Sequence, residues 1–328
     1  MATAEQIKAL VRSYSEGDQE RFLSVTMQIA AHAARGGKDR LAQELREMVE
    51  EAKKKASVTV RPVPIARPRG ELSGLAVASY PKTRLADMVL ETEVSDRLHG
   101  VVQEYRQVDR LRAHGLVPRR RLLLIGPPGC GKTMTASALA GELSLPLMSV
   151  QLHAVITKFM GETAAKLHVV FDAMAETRGV YLFDEFDAIG SHRAATNDVG
   201  EMRRVLNSFL MFLERDDSDS LVLAATNLVE MLDPALFRRF DDVVNYGIPT
   251  SPMRRDLIKN RLAAFAPARI TWNSVLAASE GLSHAEIVRA CNEAAKDAVL
   301  QDRKTVSTKN LATAFERRAQ LKGKTEGT

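Results

Sequence analysis

An α/β architecture is what the sequence predicts: a doubly wound parallel sheet, followed by a helical lid and preceded by an α-helical bundle. Three observations carry the prediction. Apolar runs of strand length at residues 121–125, 145–150, 180–185 and 221–227 alternate with helix-forming stretches such as 164–175. That is the rhythm of a parallel sheet with crossover helices. The first run leads straight into Gly126-Pro127-Pro128-Gly129-Cys130-Gly131-Lys132-Thr133, then into Met134-Thr135-Ala136-Ser137-Ala138-Leu139-Ala140. Strand, glycine-rich loop and good helix formers thus stand in succession. Amphipathic helical patterns flank this core, at residues 7–52 and again after Pro249-Thr250-Ser251-Pro252.

Size and charge set the outer limits. A chain of 328 residues can bury a sizeable core and divide into two or three domains. Its 46 basic and 41 acidic residues leave a net charge of +5, too mild to imply nucleic acid by itself. The two cysteines are Cys130 and Cys291, and Cys130 sits inside the glycine loop. A structural disulfide is therefore not expected and a reducing compartment fits. Residues 1–30 lack the basic start, apolar core and cleavage site of a secretory leader, and no apolar stretch reaches the length of a membrane span. A cytoplasmic location is expected.

In the N-terminal part, Ile7, Leu10, Val11 and Tyr14 share one helical face. Ser15-Glu16-Gly17-Asp18 interrupts it, and Asp18 can cap a second helix carrying Phe22, Val25, Ile29 and Ala33. Gly36-Gly37 ends that helix, and a third places Leu41, Leu45, Met48, Val49 and Ala52 on one stripe. Residues 1–56 are thus expected to form a helical domain, either for docking a partner or substrate or for oligomerisation, and docking is preferred. Over residues 57–83 the composition turns basic and proline-containing, with Arg61, Arg67 and Arg69 among Pro62, Pro64 and Pro68, directly after Lys53-Lys54-Lys55. Proline favours extended backbone here, so a semi-stiff linker is expected. Solvated linker is preferred over a contact with nucleic acid or acidic lipid. Residues 84–248 form the predicted nucleotide-binding domain. Residues 249–328 form the lid, with helices at 253–265, 272–279, 284–301 and 308–321.

The glycine loop reads G-x-x-x-x-G-K-T, a phosphate-binding P-loop. Glycines let backbone N–H groups close around an anion, and the helix that follows adds the positive end of its dipole. In such a loop the backbone from Gly126 to Met134 cradles a nucleoside triphosphate. Lys132 reaches the β- and γ-phosphates, and the Thr133 hydroxyl binds Mg²⁺. At the end of the 180–185 strand, Asp184 is placed to hold Mg²⁺ and Glu185 to orient the attacking water. Asn227 ends the next strand; it is a γ-phosphate or water contact, or a turn residue. Arg238 and Arg239 are either a solvated helix end or arginine fingers completing a neighbouring subunit's site.

Taken in order, GPPGCGKT, YLFDEFDAIG, AATN and LFRRFDD resemble the AAA ATPases. That group includes katanin- and spastin-like severing enzymes as well as membrane-extracting and protein-unfolding ATPases. The resemblance covers residues 84–321. It implies ATP and Mg²⁺ as ligands, with Lys132 and Thr133 as Walker A and Asp184 and Glu185 as Walker B. Asn227 becomes sensor 1, and Arg238 and Arg239 fingers donated in trans, Arg239 the favoured one. Homo-oligomers follow, with a hexamer the family expectation. Lys158-Phe159-Met160-Gly161 is similar to the loop with which the family's central pore grips an unfolded polypeptide, although a lone Phe159 also reads as core. Residues 191–200, with His192 and Arg193, suggest a second, weaker pore-facing loop. Gly281-Leu282-Ser283-His284-Ala285-Glu286 is similar to the stretch that packs by the adenine, so His284 and Ala285 border the nucleotide or simply start a helix. Met88-Val89-Leu90 stands where the family's backbone meets the base.

The implied function is an ATP-hydrolysing ring motor that remodels, unfolds or threads a protein substrate, engaged through the N-terminal helices. The alternatives are a nucleotide-gated scaffold that regulates a partner enzyme and, with the basic linker as its only support, a nucleic-acid-dependent ATPase.

Overall fold

The computed structural model describes residue 68 and residues 70–325, apart from 158–159, 188–198, 229–233 and 266–269. It also describes residues 25–27, 29–30, 33, 40, 42–45 and 47–49. The chain divides into two compact units, Met1–Pro62 and Val63–Thr328. In the first, every described residue is helical, and Val25, Ala30, Ala42 and Val49 are buried. The predicted first helix, with Ile7, Leu10, Val11 and Tyr14, lies outside the described residues.

The second unit is built on a six-stranded sheet. Its elements are β1 (Ala76–Ser79), α1 (Thr92–Arg106), α2 (Val108–Ala113), β2 (Arg121–Ile125), α3 (Lys132–Leu143) and β3 (Leu147–Val150). They continue with α4 (Leu152–Val155), α5 (Met160–Glu176), β4 (Val180–Phe183), α6 (Val199–Arg215), β5 (Leu221–Thr226), α7 (Pro234–Phe237) and β6 (Asp242–Asn245). Four further helices follow, α8 (Ser251–Arg261), α9 (Trp272–Ala278), α10 (His284–Leu300) and α11 (Thr308–Thr325). No described helix is long and apolar enough to cross a membrane.

The strand order is β1-β3-β4-β5-β2-β6. Five strands run parallel, while β1 pairs antiparallel with β3 from Ala76↔Val150 to Ser79↔Leu147. The sheet is therefore mixed, and β1 lies within the stretch read from the sequence as linker. Four residues close to Pro81 carry too little pattern to stand out as a strand. Pairing with the otherwise open edge of β3 makes them one. β6 escapes a sequence reading for a similar reason, since only Val244 of its four residues is fully buried.

The central strands are apolar at successive positions because both faces of the sheet are covered. Leu123, Tyr181, Phe183, Val222 and Ala224 join one core with α5 and α6, where Phe171, Phe186 and Phe209 cluster. Leu122, Leu124, Val180, Leu182, Leu221 and Leu223 join the opposite core with α1 and α3. The C-terminal helices close around a third core of Ile258, Val275, Ile287, Ala290, Cys291, Leu311 and Phe315. Register places Ile125 level with Thr226, and Phe183 level with Ala224. The residues that follow β2, β4 and β5 accordingly emerge along one edge of the sheet.

Helix α3 is wedged so closely that Gly141 has no room for a side chain. A Cβ there would stand 2.0 Å from the Thr83 carbonyl oxygen and 3.3 Å from that of Pro81. Gly141→Ala should lower the unfolding free energy by about 1–3 kcal/mol, the usual cost of overpacking, read as a lower denaturant midpoint at unchanged slope.

Candidate functional site

The loop between β2 and α3 folds tightly against the strand beside it. Gly126 (φ +153°) lies so near Tyr246 that a Cβ would meet its carbonyl oxygen at 2.4 Å. Gly129 (φ +77°) faces the start of α10, where a Cβ would stand 2.8 Å from Ser283 Oγ and 3.0 Å from Ala285 Cβ. The positive φ and the close approaches explain why glycine holds these two positions.

Lys132 opens α3 and is buried, with 6% of its surface exposed. Its Nζ donates to the carbonyl oxygens of Gly126 at 2.6 Å and Pro127 at 3.0 Å, and to Asn227 Oδ1 at 2.7 Å. All three ammonium protons are therefore satisfied. Burial pulls its pKa below the ordinary lysine value, opposed by the charges of Cys130, Asp184 and Asp187. Next to it, Thr133 Oγ1 donates to Asp184 Oδ2 at 2.7 Å, and the Glu185 backbone N–H donates to Asp184 Oδ1 at 2.9 Å. Of the remaining loop residues, Cys130 is buried, while Pro127, Pro128 and Met134 are exposed.

The turn after β4 is anchored from beyond the two carboxylates. Phe186 is fully buried, its N–H donates to the Ala225 carbonyl at 2.8 Å, and its ring lies 4.8 Å from that of Phe209. Asp187 Oδ1 accepts from Thr226 Oγ1 at 3.1 Å. Between these fixed points Glu185 is exposed and left-handed, with φ +51°. For a side-chain-bearing residue that conformation costs about 1–2 kcal/mol. Sequence reasoning passed over Phe186, Asp187 and Thr226; the apolar residue directly after Asp184-Glu185 was the available signal.

The lid reaches the loop through the start of α10. Ser283 caps that helix: its Oγ accepts from the Glu286 N–H, and Glu286 Oε2 accepts from the Ser283 N–H at 2.7 Å. This reciprocal pair is a capping box. The Ala285 N–H then donates to the Gly129 carbonyl at 3.0 Å. His284 lines a cavity with Leu90, Glu91, Val94, Cys130, Tyr246 and Met253. Beneath it the Tyr246 hydroxyl lies 2.7 Å from Thr135 Oγ1, which donates in turn to the Gly131 carbonyl at 3.2 Å. Met88 Cε would touch a Cβ on Gly131 at 3.4 Å. The stretches containing Met88, Cys130 and His284, far apart in sequence, thus surround one side of the loop.

Other predicted residues stand away from this cluster. Arg238 and Arg239 are exposed, and the Arg239 guanidinium pairs with Glu214 at the end of α6. They precede Asp241, whose N–H bonds the Arg121 carbonyl at the start of β2, whereas the glycine loop follows the end of that strand. Lys158 and Phe159 lie outside the described residues, as do His192 and Arg193. Met160 and Gly161 fall in the first turn of α5 and not in a loop. The helix formers that follow Gly161 and the Glu162–Lys166 pair at 2.9 Å account for the early start.

Comparison with known proteins accords with this geometry. Residues 122–248 match the model of the ATPase family associated with various cellular activities (AAA). An uncharacterised AAA family ATPase, y4kL of Sinorhizobium fredii, is 36% identical over 98% of this chain and 96% of its own length. The ATP-dependent zinc metalloprotease FtsH of Helicobacter felis is 34% identical over 76% of this chain. The match spans 40% of that relative's length. Among solved structures, the FIGL-1 AAA domain shares the fold with a TM-score of 0.59 at 24% identity, covering 73% of this chain and 85% of its own. With a relative alike over nearly its full length, the chain belongs to the AAA family of ATPases and hydrolyses ATP.

Proposed function

We propose that this ATPase works as a ring whose sites are shared between neighbouring subunits, and that hydrolysis drives the remodelling of a protein threaded through the central pore. One observation carries the shared site. Lys132, Thr133, Asp184, Glu185 and Asn227 gather at the C-terminal edge of the sheet, while Arg238 and Arg239 lie by the start of β2. Those arginines belong to the far end of the strand from their own P-loop, which suits donation to the next subunit.

Within the site, Gly126 to Met134 embrace the triphosphate, and Lys132 exchanges the carbonyls of Gly126 and Pro127 for phosphate oxygens. Asn227, already bonded to Lys132, is poised to follow the γ-phosphate. The residues present fit Mg²⁺: a hydroxyl and a carboxylate oxygen 2.7 Å apart, Thr133 and Asp184, are the hard oxygen donors that ion takes. A bound Mg²⁺ would neutralise charge on the phosphates. Glu185, exposed beside Asp184, serves as the base that orients water. The cavity lined by Leu90, Cys130 and His284 receives the base. Lys158, Phe159, Met160 and Gly161 grip substrate, and helices within residues 1–56 dock it. Domains 84–248 and 249–328 form the motor.

Lys132→Ala should abolish ATP binding in a titration. Glu185→Gln should bind ATP normally and lower turnover by a factor of about 10²–10⁴, the range for loss of a general base.

Arg239→Ala and Glu185→Gln proteins should each be inactive alone and regain ATPase activity when mixed. The sites that regain it join the intact Glu185 of one subunit to the intact Arg239 of the next. Full turnover by Arg239→Ala alone would show that it is not a finger.

Phe159→Ala should keep ATPase activity and lose the unfolding of a substrate captured with the Glu185→Gln protein. Unfolding retained together with ATPase activity would overturn threading by the Phe159 loop.

A further inference from the structure

Among the walls of the proposed base pocket stands a half-buried histidine. His284 faces a cavity whose other walls are mostly apolar: Leu90, Val94, Cys130, Tyr246 and Met253, with Glu91 at one side. Both imidazole nitrogens are sealed from solvent, and neither makes a hydrogen bond of regular geometry. A buried polar group in that condition is unfavourable until a partner arrives. Burial holds the imidazole below its ordinary range, and the Val89 backbone opposes this more weakly, as a carbonyl close to a ring N–H does. The ring is therefore neutral at pH 7, with one N–H and one lone pair.

With the N–H turned toward Val89, the other nitrogen is an acceptor, and the cavity walls offer it little. Glu91 is itself an acceptor when ionised, the Tyr246 hydroxyl is engaged with Thr135, and a thiol such as that of Cys130 is a weak donor. The missing donor has to come from what enters. Because Ala285, the next residue, is tied to the Gly129 carbonyl, His284 keeps a set position beside the phosphate loop.

We propose that His284 reads the nucleobase: its lone-pair nitrogen accepts a hydrogen bond from the 6-amino group of adenine, and so selects a 6-aminopurine over a 6-oxopurine. A 6-oxo group would set lone pair against lone pair, and turning the imidazole over would give up the Val89 contact. This inference rests on the reading of the cavity as the base pocket of the ATP site.

The test compares the affinities of the full-length protein for the β,γ-imido triphosphates of adenosine, guanosine and purine riboside, the last lacking the 6-amino group. The wild type should bind the adenosine compound about tenfold more tightly than the purine riboside one, the size of one buried neutral hydrogen bond. It should disfavour the guanosine compound further. His284→Phe, which keeps a ring, and His284→Ala, which removes it, should each shrink the adenosine–purine riboside difference below twofold. In both variants the adenosine compound should lose more affinity than the purine riboside compound, so that the difference between the two, and not the overall affinity, reports the hydrogen bond. Equal wild-type affinity for adenosine and purine riboside compounds, or a tenfold difference surviving in both variants, would overturn the proposal and leave the pocket reading intact. Inorganic tripolyphosphate binding as tightly as the adenosine compound would instead overturn the pocket reading, and the proposal with it.

Discussion

A buried ammonium must be met by oxygen, and the answer to Lys132 organises this molecule. Two of its acceptors, Gly126 and Pro127, belong to the loop that precedes it, and the third, Asn227, comes from the end of β5. The loop can turn its carbonyls inward because Gly126 presents no Cβ to Tyr246. Asn227 can reach because β5 lies next to β2 in the sheet although three other elements of structure separate them in the chain. One charge thus depends on the loop conformation, the helix start and the strand order together. The proposed function exchanges two of these oxygens, the Gly126 and Pro127 carbonyls, for those of a phosphate bound at the start of α3, where the helix end favours an anion.

The carboxylate side of the site shows how rigidity and strain coexist. Asp184 is fixed twice, by the Thr133 hydroxyl and by the Glu185 N–H. Phe186, sunk into the aromatic core, and Asp187, bonded to Thr226, hold the chain on the far side. Glu185 is compelled into a left-handed conformation between these anchors. Strain of this kind persists only where surrounding contacts over-determine it, and here the core on that face of the sheet does so.

Local code and long-range packing meet in the lid. Ser283 and Glu286 form a capping box three residues apart, so the start of α10 is specified by its own sequence. Its docking against Gly129 is not, because it needs the positive φ of that glycine and the small Ala285 side chain opposite. The consequence for function is that a lid residue, His284, shares a cavity with Cys130 of the loop and Leu90 of the segment before α1.

Much of this was legible in the residues themselves. Unbroken apolar runs such as Leu122-Leu123-Leu124-Ile125 signal strands buried on both faces, and the G-x-x-x-x-G-K-T spacing identifies a triphosphate loop, because only local backbone geometry is needed for either. The short edge strands were not legible. Ala76–Ser79 and Asp242–Asn245 become strands by pairing with β3 and β2, and four residues carry too little periodicity to announce that. Nor did any pattern reveal that Tyr246 would bond Thr135, that Glu185 would turn left-handed, or that Arg239 would pair with Glu214. By itself the sequence determined which segments are strands, loop and helices in the core of the ATPase domain, and which residue types are equipped for phosphate and metal. Only the tertiary structure decided which of those residues meet, since contacts between distant segments depend on strand order and packing, which no local spacing encodes.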